Sequence, residues 1–153
     1  TYINHQHLEN SRINQIKQQF QDRIRCFDVK GFINENIQTI NELTKFQLDR
    51  ADEKNNKILP THNVENILSK DRSRNLVFIR QTIQYLLLNC DGTTVVVGKL
   101  MGRDHSTIVY GREMFDNYLQ YYATLREFHL LNELKTKMEN ILDIEHKKPI
   151  CKI

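Results

Sequence analysis

A chain of 153 residues with 39% apolar and 27% charged side chains has the composition of a folded globular protein. At that length it can bury roughly 68–70% of its unfolded surface, enough for a core. No apolar run exceeds four residues, as at Tyr85–Leu88, where a membrane span needs ~20, so no membrane segment is expected.

Helical periodicity governs the chain from its first third onward. Ile13, Ile16, Phe20, Ile24 and Phe27 recur every three or four residues and predict an amphipathic helix from about Ser11. Lys30-Gly31 reads as punctuation before a second helix carrying Ile33, Ile37, Ile40, Leu43 and Phe46 to Leu48. That helix runs into the polar stretch "DRADEKNNK", which Pro60 closes. Thr61 could cap a short helix holding Val64, Ile67 and Leu68. "SKDRSR", residues 69–74, is a basic loop.

Leu76, Ile79, Ile83, Leu86 and Leu87 then mark a strongly apolar helix, ended by "NCDG" with Gly92 suited to the turn. Thr93 or Thr94 caps a short segment from Val95 to Met101, and Gly102 breaks it. Asp104 is placed to cap the next helix, whose buried face includes Ile108, Phe115 and Leu119. A last helix holds Phe128, Leu131, Leu134, Met138, Ile141 and Leu142, and the tail "EHKKPICKI" should fray. The triple valine Val95–Val97 also suits a buried strand, but a lone strand has nothing to pair with. The expected fold is all-α: a helix-turn-helix unit with an additional N-terminal helical hairpin and a C-terminal helix.

Cys26, Cys90 and Cys151 form no CxxC pair, which fits an intracellular, reducing compartment. Cys26 and Cys90 stand beside apolar residues and are expected in the core. The six histidines lack ligand spacing, and "HQH" at His5–His7 is too weak a signal for a metal site. No signal peptide is visible, and the start at Thr1 reads as trimmed or processed. Neither metal nor other cofactor is expected.

The net charge of +3 is unevenly distributed. Residues 70–112 hold Lys70, Arg72, Arg74, Arg80, Lys99, Arg103 and Arg112 against Asp71, Asp91 and Asp104, a surplus of four that leaves −1 for the rest. Such asymmetry points to a polyanion partner.

Within that segment, "GTTVVVGKLMGRDHSTIVYG" invites three chemistries. A phosphate loop requires G-x-x-x-x-G-K-[ST], whereas five residues separate Gly92 from Gly98 and Leu100 replaces the hydroxyl, so no nucleotide is expected. Asp104, His105 and Ser106 name a triad, but consecutive positions at a helix start point about 100° apart and cannot align as orienter, base and nucleophile. An enzyme is not expected. The third arrangement is an apolar helix, a short capped helix, a glycine turn and a helix that opens on polar side chains. A helix-turn-helix has that order, and its second helix presents N-terminal residues to base edges. From pattern alone, DNA reading and mere helix capping by Asp104 and Ser106 stand level.

"GRDHSTIVYGREM", with "SKDRSRNLVFIRQTIQYLL" upstream, resembles the C-terminal DNA-binding domain of the bacterial chromosomal replication initiator DnaA. Gly102 to Ile108 matches that family's Gly-Arg-Asp-His-[Ser/Thr]-Thr-[Val/Ile] signature, and Arg80-Gln81 its Arg-Gln pair. The similarity spans about residues 64–118. It implies that Arg72 enters a minor groove, that Asp104, His105, Ser106 and Thr107 read or approach bases in the major groove, and that Arg74, Arg103 and Lys99 hold phosphates. The chain departs from the family in having one glycine before Arg103 where two are usual. Val95 stands where a proline is common, and the long helix ends in Leu87-Leu88-Asn89 without a lysine. Asp71 dilutes the basic loop. No phosphate loop or acidic Walker-type strand accompanies the motif, so an ATP-driven initiator is not expected.

Residues 1–59 are expected as an N-terminal helical region, 60–122 as the DNA-binding domain, and 123–153 as a C-terminal helix and tail. The N-terminal helices pack on their own domain or receive a second subunit, as a homodimer, or another protein partner. Together these features imply a cytoplasmic, nucleoid-associated protein that binds double-stranded DNA. It would regulate replication or transcription, and the motif without its ATPase suits a phage or mobile element. The alternative is a helical protein-interaction module that keeps the fold without DNA.

Overall fold

Seven α-helices and no strand make up the described residues of the computed structural model, which are 2–51, 74–146 and 148–151. Side chains are described for 8–46, 76–146 and 148–151. In chain order the helices are α1 (Tyr2–Arg25), α2 (Val29–Glu35), α3 (Ile37–Ala51), α4 (Arg74–Asn89), α5 (Thr94–Met101), α6 (His105–Tyr121) and α7 (Leu125–Leu142). The all-α expectation holds. The short helix expected after Thr61 and the basic loop ahead of Arg74 lie outside the described residues.

The organising element is α4, which packs against α3, α5, α6 and α7. Its Ile79, Ile83, Leu86 and Leu87 follow the spacing that places them on one stripe, and all four are wholly buried. Each such side chain contributes about 1.5–3 kcal/mol by leaving water, so this stripe outweighs any single cap or ion pair in the fold. The surrounding core is one cluster that draws Ile24 from α1, Phe32 and Ile33 from α2, Ile40 and Leu43 from α3, and Leu131, Leu134, Met138 and Leu142 from α7.

The N-terminal helices differ from expectation in instructive ways. α1 begins at Tyr2, not near Ser11, and of its described side chains only those in the final turns are covered, where α5 packs. Ile24 is wholly buried, whereas Ile13 and Ile16 on the same stripe are 49% and 65% exposed. Phe27 reaches the core from beyond the helix end. Periodicity identifies a shared face, but not how far a neighbour extends along it.

The expected second helix is two. Asn36 is buried between α2 and α3, and its Nδ2 donates to the Phe32 carbonyl at 2.9 Å, competing with the helix for that acceptor. Lys30-Gly31 does not punctuate but lies inside α2, where the Asp28 carboxylate caps the helix by accepting from Gly31 N at 3.0 Å. Cys26, expected in the core, is exposed at the end of α1, while Cys90 is buried as expected.

α4 ends in a Schellman motif: Gly92 N donates to Leu87 O at 3.0 Å and Asp91 N to Leu88 O at 3.1 Å. The left-handed position is Asp91, with φ 66°, and not Gly92. Glycine at 92 meets a different need, since a Cβ there would sit 2.8 Å from the Leu87 carbonyl oxygen.

α7 starts with a capping box between Thr124 and Glu127 and ends with Asp143 at φ 55°. Ile141 escapes the core at 52% exposure. The tail expected to fray is instead tied to this helix. Asn132 accepts from Ile150 N at 2.7 Å and donates to Ile150 O at 2.9 Å, and Lys135 Nζ donates to Lys148 O at 3.1 Å. Two donors and one acceptor from α7 thus satisfy the backbone of a segment whose own sequence has no helical or strand pattern.

Candidate nucleic-acid interface

The short helix α5 depends on its ends. Thr93 is its N-cap, the Oγ1 accepting from Val96 N at 3.2 Å. Gln21 of α1 braces the same turn, donating through Nε2 to Asp91 O at 2.9 Å and accepting through Oε1 from Thr93 N at 3.2 Å. Valine is a modest helix former, yet Val96 and Val97 are buried and only Val95 is exposed, so burial decides the triple valine for helix. At the far end, Arg103 N donates to Gly98 O at 2.8 Å and Gly102 N to Lys99 O at 3.3 Å, a second Schellman motif with Gly102 at φ 64°.

That turn delivers the chain to α6. Ile108, Gly111, Phe115 and Leu119 face inward at spacings of three, four and four. Gly111 brings α6 close to α4, where a Cβ would meet Gln84 Oε1 at 3.2 Å and Gln81 Cγ at 3.4 Å. Farther along, Phe115 stacks on Tyr85 of α4 at 4.6 Å between ring centroids and meets Tyr118 edge-on at 5.4 Å. Burial raises the pKa of the Tyr85 phenol above 10.0, and the neighbouring Asp116 adds to the effect against a lowering contact from Asn89. With the inner face committed to this seam, the outward face of α6 is polar at its start.

Asp104 occupies the N-cap position of α6 in an extended backbone conformation but makes no side-chain cap hydrogen bond. Asp104, His105, Ser106 and Thr107 are all exposed, in one unbroken row. Arg103 is half-buried, with Nη1 3.4 Å from the Gly102 carbonyl oxygen, and Lys99 is exposed in the last turn of α5. Arg74 opens α4, though its side chain is not among those described, and Arg72 lies outside the described residues. The first amides of α6 have no partner within the helix, which makes this end attractive to a phosphate.

A cleft of about 650 Å³ runs between α4 and the start of α6. Arg80, Gln81 and Gln84 form one wall, and Asp104, Thr107 and Tyr110 the other. The fold brings six of the sequence-predicted residues, Lys99 and Arg103 through Thr107, to one helix junction, and Arg103, Asp104 and Thr107 of these line the cleft.

Two further residues at the junction are not among those the motif points to. Tyr110 is 60% exposed on α6, one turn beyond Ser106 and Thr107, and that spacing of three and four was legible. Thr94 reads in the sequence only as an alternative cap to Thr93, yet its Oγ1 lies 2.7 Å from His105 Nδ1. Nothing in the sequence signals a bond across eleven residues and a turn.

Residues 61–114 match the family model described as the bacterial DnaA protein helix-turn-helix, roughly a third of the chain. No match was found among curated proteins or among solved structures.

Proposed function

From a chain that carries a DnaA-type helix-turn-helix at residues 61–114, we propose a sequence-specific double-stranded DNA-binding protein that catalyses no reaction. It regulates replication or transcription by occupying sites like those of the initiator. The observation that carries this reading is the exposed row Asp104–Thr107 at the start of α6, set opposite the buried seam of Ile108, Gly111 and Phe115. A helix buried on that seam can enter a major groove with its first turn leading.

The roles follow from donor and acceptor chemistry. The Asp104 carboxylate can only accept while ionised, which suits cytosine N4 in the major groove. Thr107 offers a methyl group to thymine, and His105 and Ser106 offer polar atoms to bases or phosphates. Arg74, Lys99 and Arg103 hold phosphates, and Arg72 enters the adjoining minor groove. Such a protein works at the nucleoid.

Selection of bound duplexes from a random pool, followed by titration of the selected and scrambled duplexes across a salt series, tests the proposal. Four basic contacts at about 0.9 per phosphate predict a slope of log K against log salt of about −3.6. Equal affinity for selected and scrambled duplexes would contradict sequence-specific binding.

A second reading, a protein-docking module, takes its support from Tyr110 and Met114, 60% and 45% exposed on α6. A partner at the N-terminal helices, a second copy or another protein, draws on exposed Ile13 and Ile16 of α1. Salt-independent behaviour toward every duplex, with a concentration-dependent protein complex, would favour docking over DNA.

A further inference from the structure

We infer that Thr94 is the positioning residue for His105, holding its imidazole in one tautomer so that a fixed donor faces the DNA. This rests on the DNA-reading function proposed above and deepens it. Thr94 is the first residue of α5, directly after the cap Thr93, and is half-buried. His105 is the first residue of α6 and is exposed. The 2.7 Å contact between Thr94 Oγ1 and His105 Nδ1 therefore bridges the two helices of the motif across the Gly102 turn.

A hydroxyl both donates and accepts, so this contact can run either way, and the DNA surface favours one direction. A neutral imidazole has one N–H and one bare nitrogen, and the hydrogen bond made by one decides what the other presents. When the Thr94 hydroxyl donates to Nδ1, the proton resides on Nε2, the ring nitrogen that Thr94 does not engage. The DNA surface meets a recognition helix mainly with acceptors: phosphate oxygens, guanine O6 and N7, adenine N7 and thymine O4. An Nε2–H donor is complementary to all of these, and a bare Nε2 to none. The same bond removes rotamer freedom from an exposed side chain before DNA arrives, a cost otherwise met on binding. Asp104 makes no side-chain cap bond, whereas the neighbouring His105 is tied to α5 through Thr94.

Two variants and two readouts test the inference. Thr94→Val keeps the shape and loses the hydroxyl, while Thr94→Ser keeps the hydroxyl. In the free protein, ring nitrogen chemical shifts of His105, assigned by their loss in His105→Ala, should report the Nε2–H tautomer in wild type and Thr94→Ser, and a tautomer mixture in Thr94→Val. On DNA, Thr94→Val should lower the preference for the selected duplex over a scrambled one by roughly 2- to 10-fold, the ordering cost of one side chain, with the salt slope unchanged. Thr94→Ser should restore the preference, and Thr94→Val should add nothing in a His105→Ala background.

Ring shifts that do not respond to Thr94→Val would overturn the inference. So would an equal loss from Thr94→Val with and without His105, because the effect would then come from α5 itself. Absence of DNA binding by the wild-type chain would defeat the functional reading, while the ring shifts of the free protein would still decide whether Thr94 sets the tautomer.

Discussion

Gly98 and Arg103 meet back to back across the turn between α5 and α6. The Arg103 amide donates to the Gly98 carbonyl at 2.8 Å, and the position of a Cβ on Gly98 would lie 2.8 Å from the Arg103 carbonyl oxygen. The turn that presents Asp104 and His105 is thus closed by a hydrogen bond that only a residue without a side chain can approach. Alanine at 98 would gain about 0.8–1.0 kcal/mol of helix propensity, but backbone must move to admit it. Gly98→Ala is expected to lose about 1–3 kcal/mol of stability, as overpacking does, and to weaken DNA binding through the displaced turn. Chemical denaturation beside a duplex titration checks both, and a more stable variant with unchanged binding would refute the close approach.

Gly102 poses the converse case. Nothing lies within 4 Å of its would-be Cβ, so space is free and the cost comes from φ 64° alone. Gly102→Ala should cost about 1–2 kcal/mol, the penalty of the left-handed region for an L-residue. Gly102→Asn should cost less, since asparagine visits that region more readily. A thermal-unfolding series of the three proteins reads the order, and equal midpoints for alanine and asparagine would count against a purely conformational cause.

Lys135 and Glu139 pair at 3.3 Å on α7 with side chains 4% and 2% exposed. His146 Nδ1 lies 3.4 Å from the same carboxylate's Oε1. Removing one charge leaves the other buried without the ion at 3.3 Å, so Lys135→Met or Glu139→Gln alone should destabilise by about 3–5 kcal/mol. Lys135→Met with Glu139→Leu should recover most of that loss, because a buried pair and a well-packed apolar pair are close in free energy. Additive losses in urea unfolding of the double variant would contradict the pairing.

Tyr85 predicts an alkaline limit. Its phenol has a folded pKa raised above 10.0, first by burial and then by Asp116, so the folded state holds its proton more tightly than the unfolded chain. The associated stability is fully present below the unfolded value and is lost as pH rises through the folded one. Unfolding free energies between about pH 9 and 11 should fall more steeply for the wild type than for Tyr85→Phe, which has no proton to lose. Parallel curves would remove Tyr85 from the account.

The inner architecture was legible from α4 onward because its apolar stripe, the Gly102 turn and the Ile108–Leu119 seam are all local patterns. What escaped was set by partners distant in sequence. Ile13 and Ile16 share a stripe with Ile24, but α5 covers only the last of these. Asn36 divides a helix through a side-chain bond that competes with the backbone, and Asn132 holds a tail that has no pattern of its own. At the helix junction, the exposed row of Asp104 to Thr107 was legible from the motif, whereas the contact of Thr94 with His105 arises only where folding brings α5 and α6 together.

Arg103 and its two successors should separate by the kind of loss they cause. Arg103→Ala should weaken binding to every duplex by a similar factor and reduce the salt slope by about 1, as expected of a phosphate contact.

The most direct test of the base-reading row is a single-base substitution scan of the selected duplex with the wild type, Asp104→Ala and His105→Ala. Each variant should lose roughly 1–3 kcal/mol of discrimination at one base pair and keep the wild-type pattern elsewhere. If both variants instead lose the same affinity on every duplex, with the base preferences intact, the start of α6 does not read sequence.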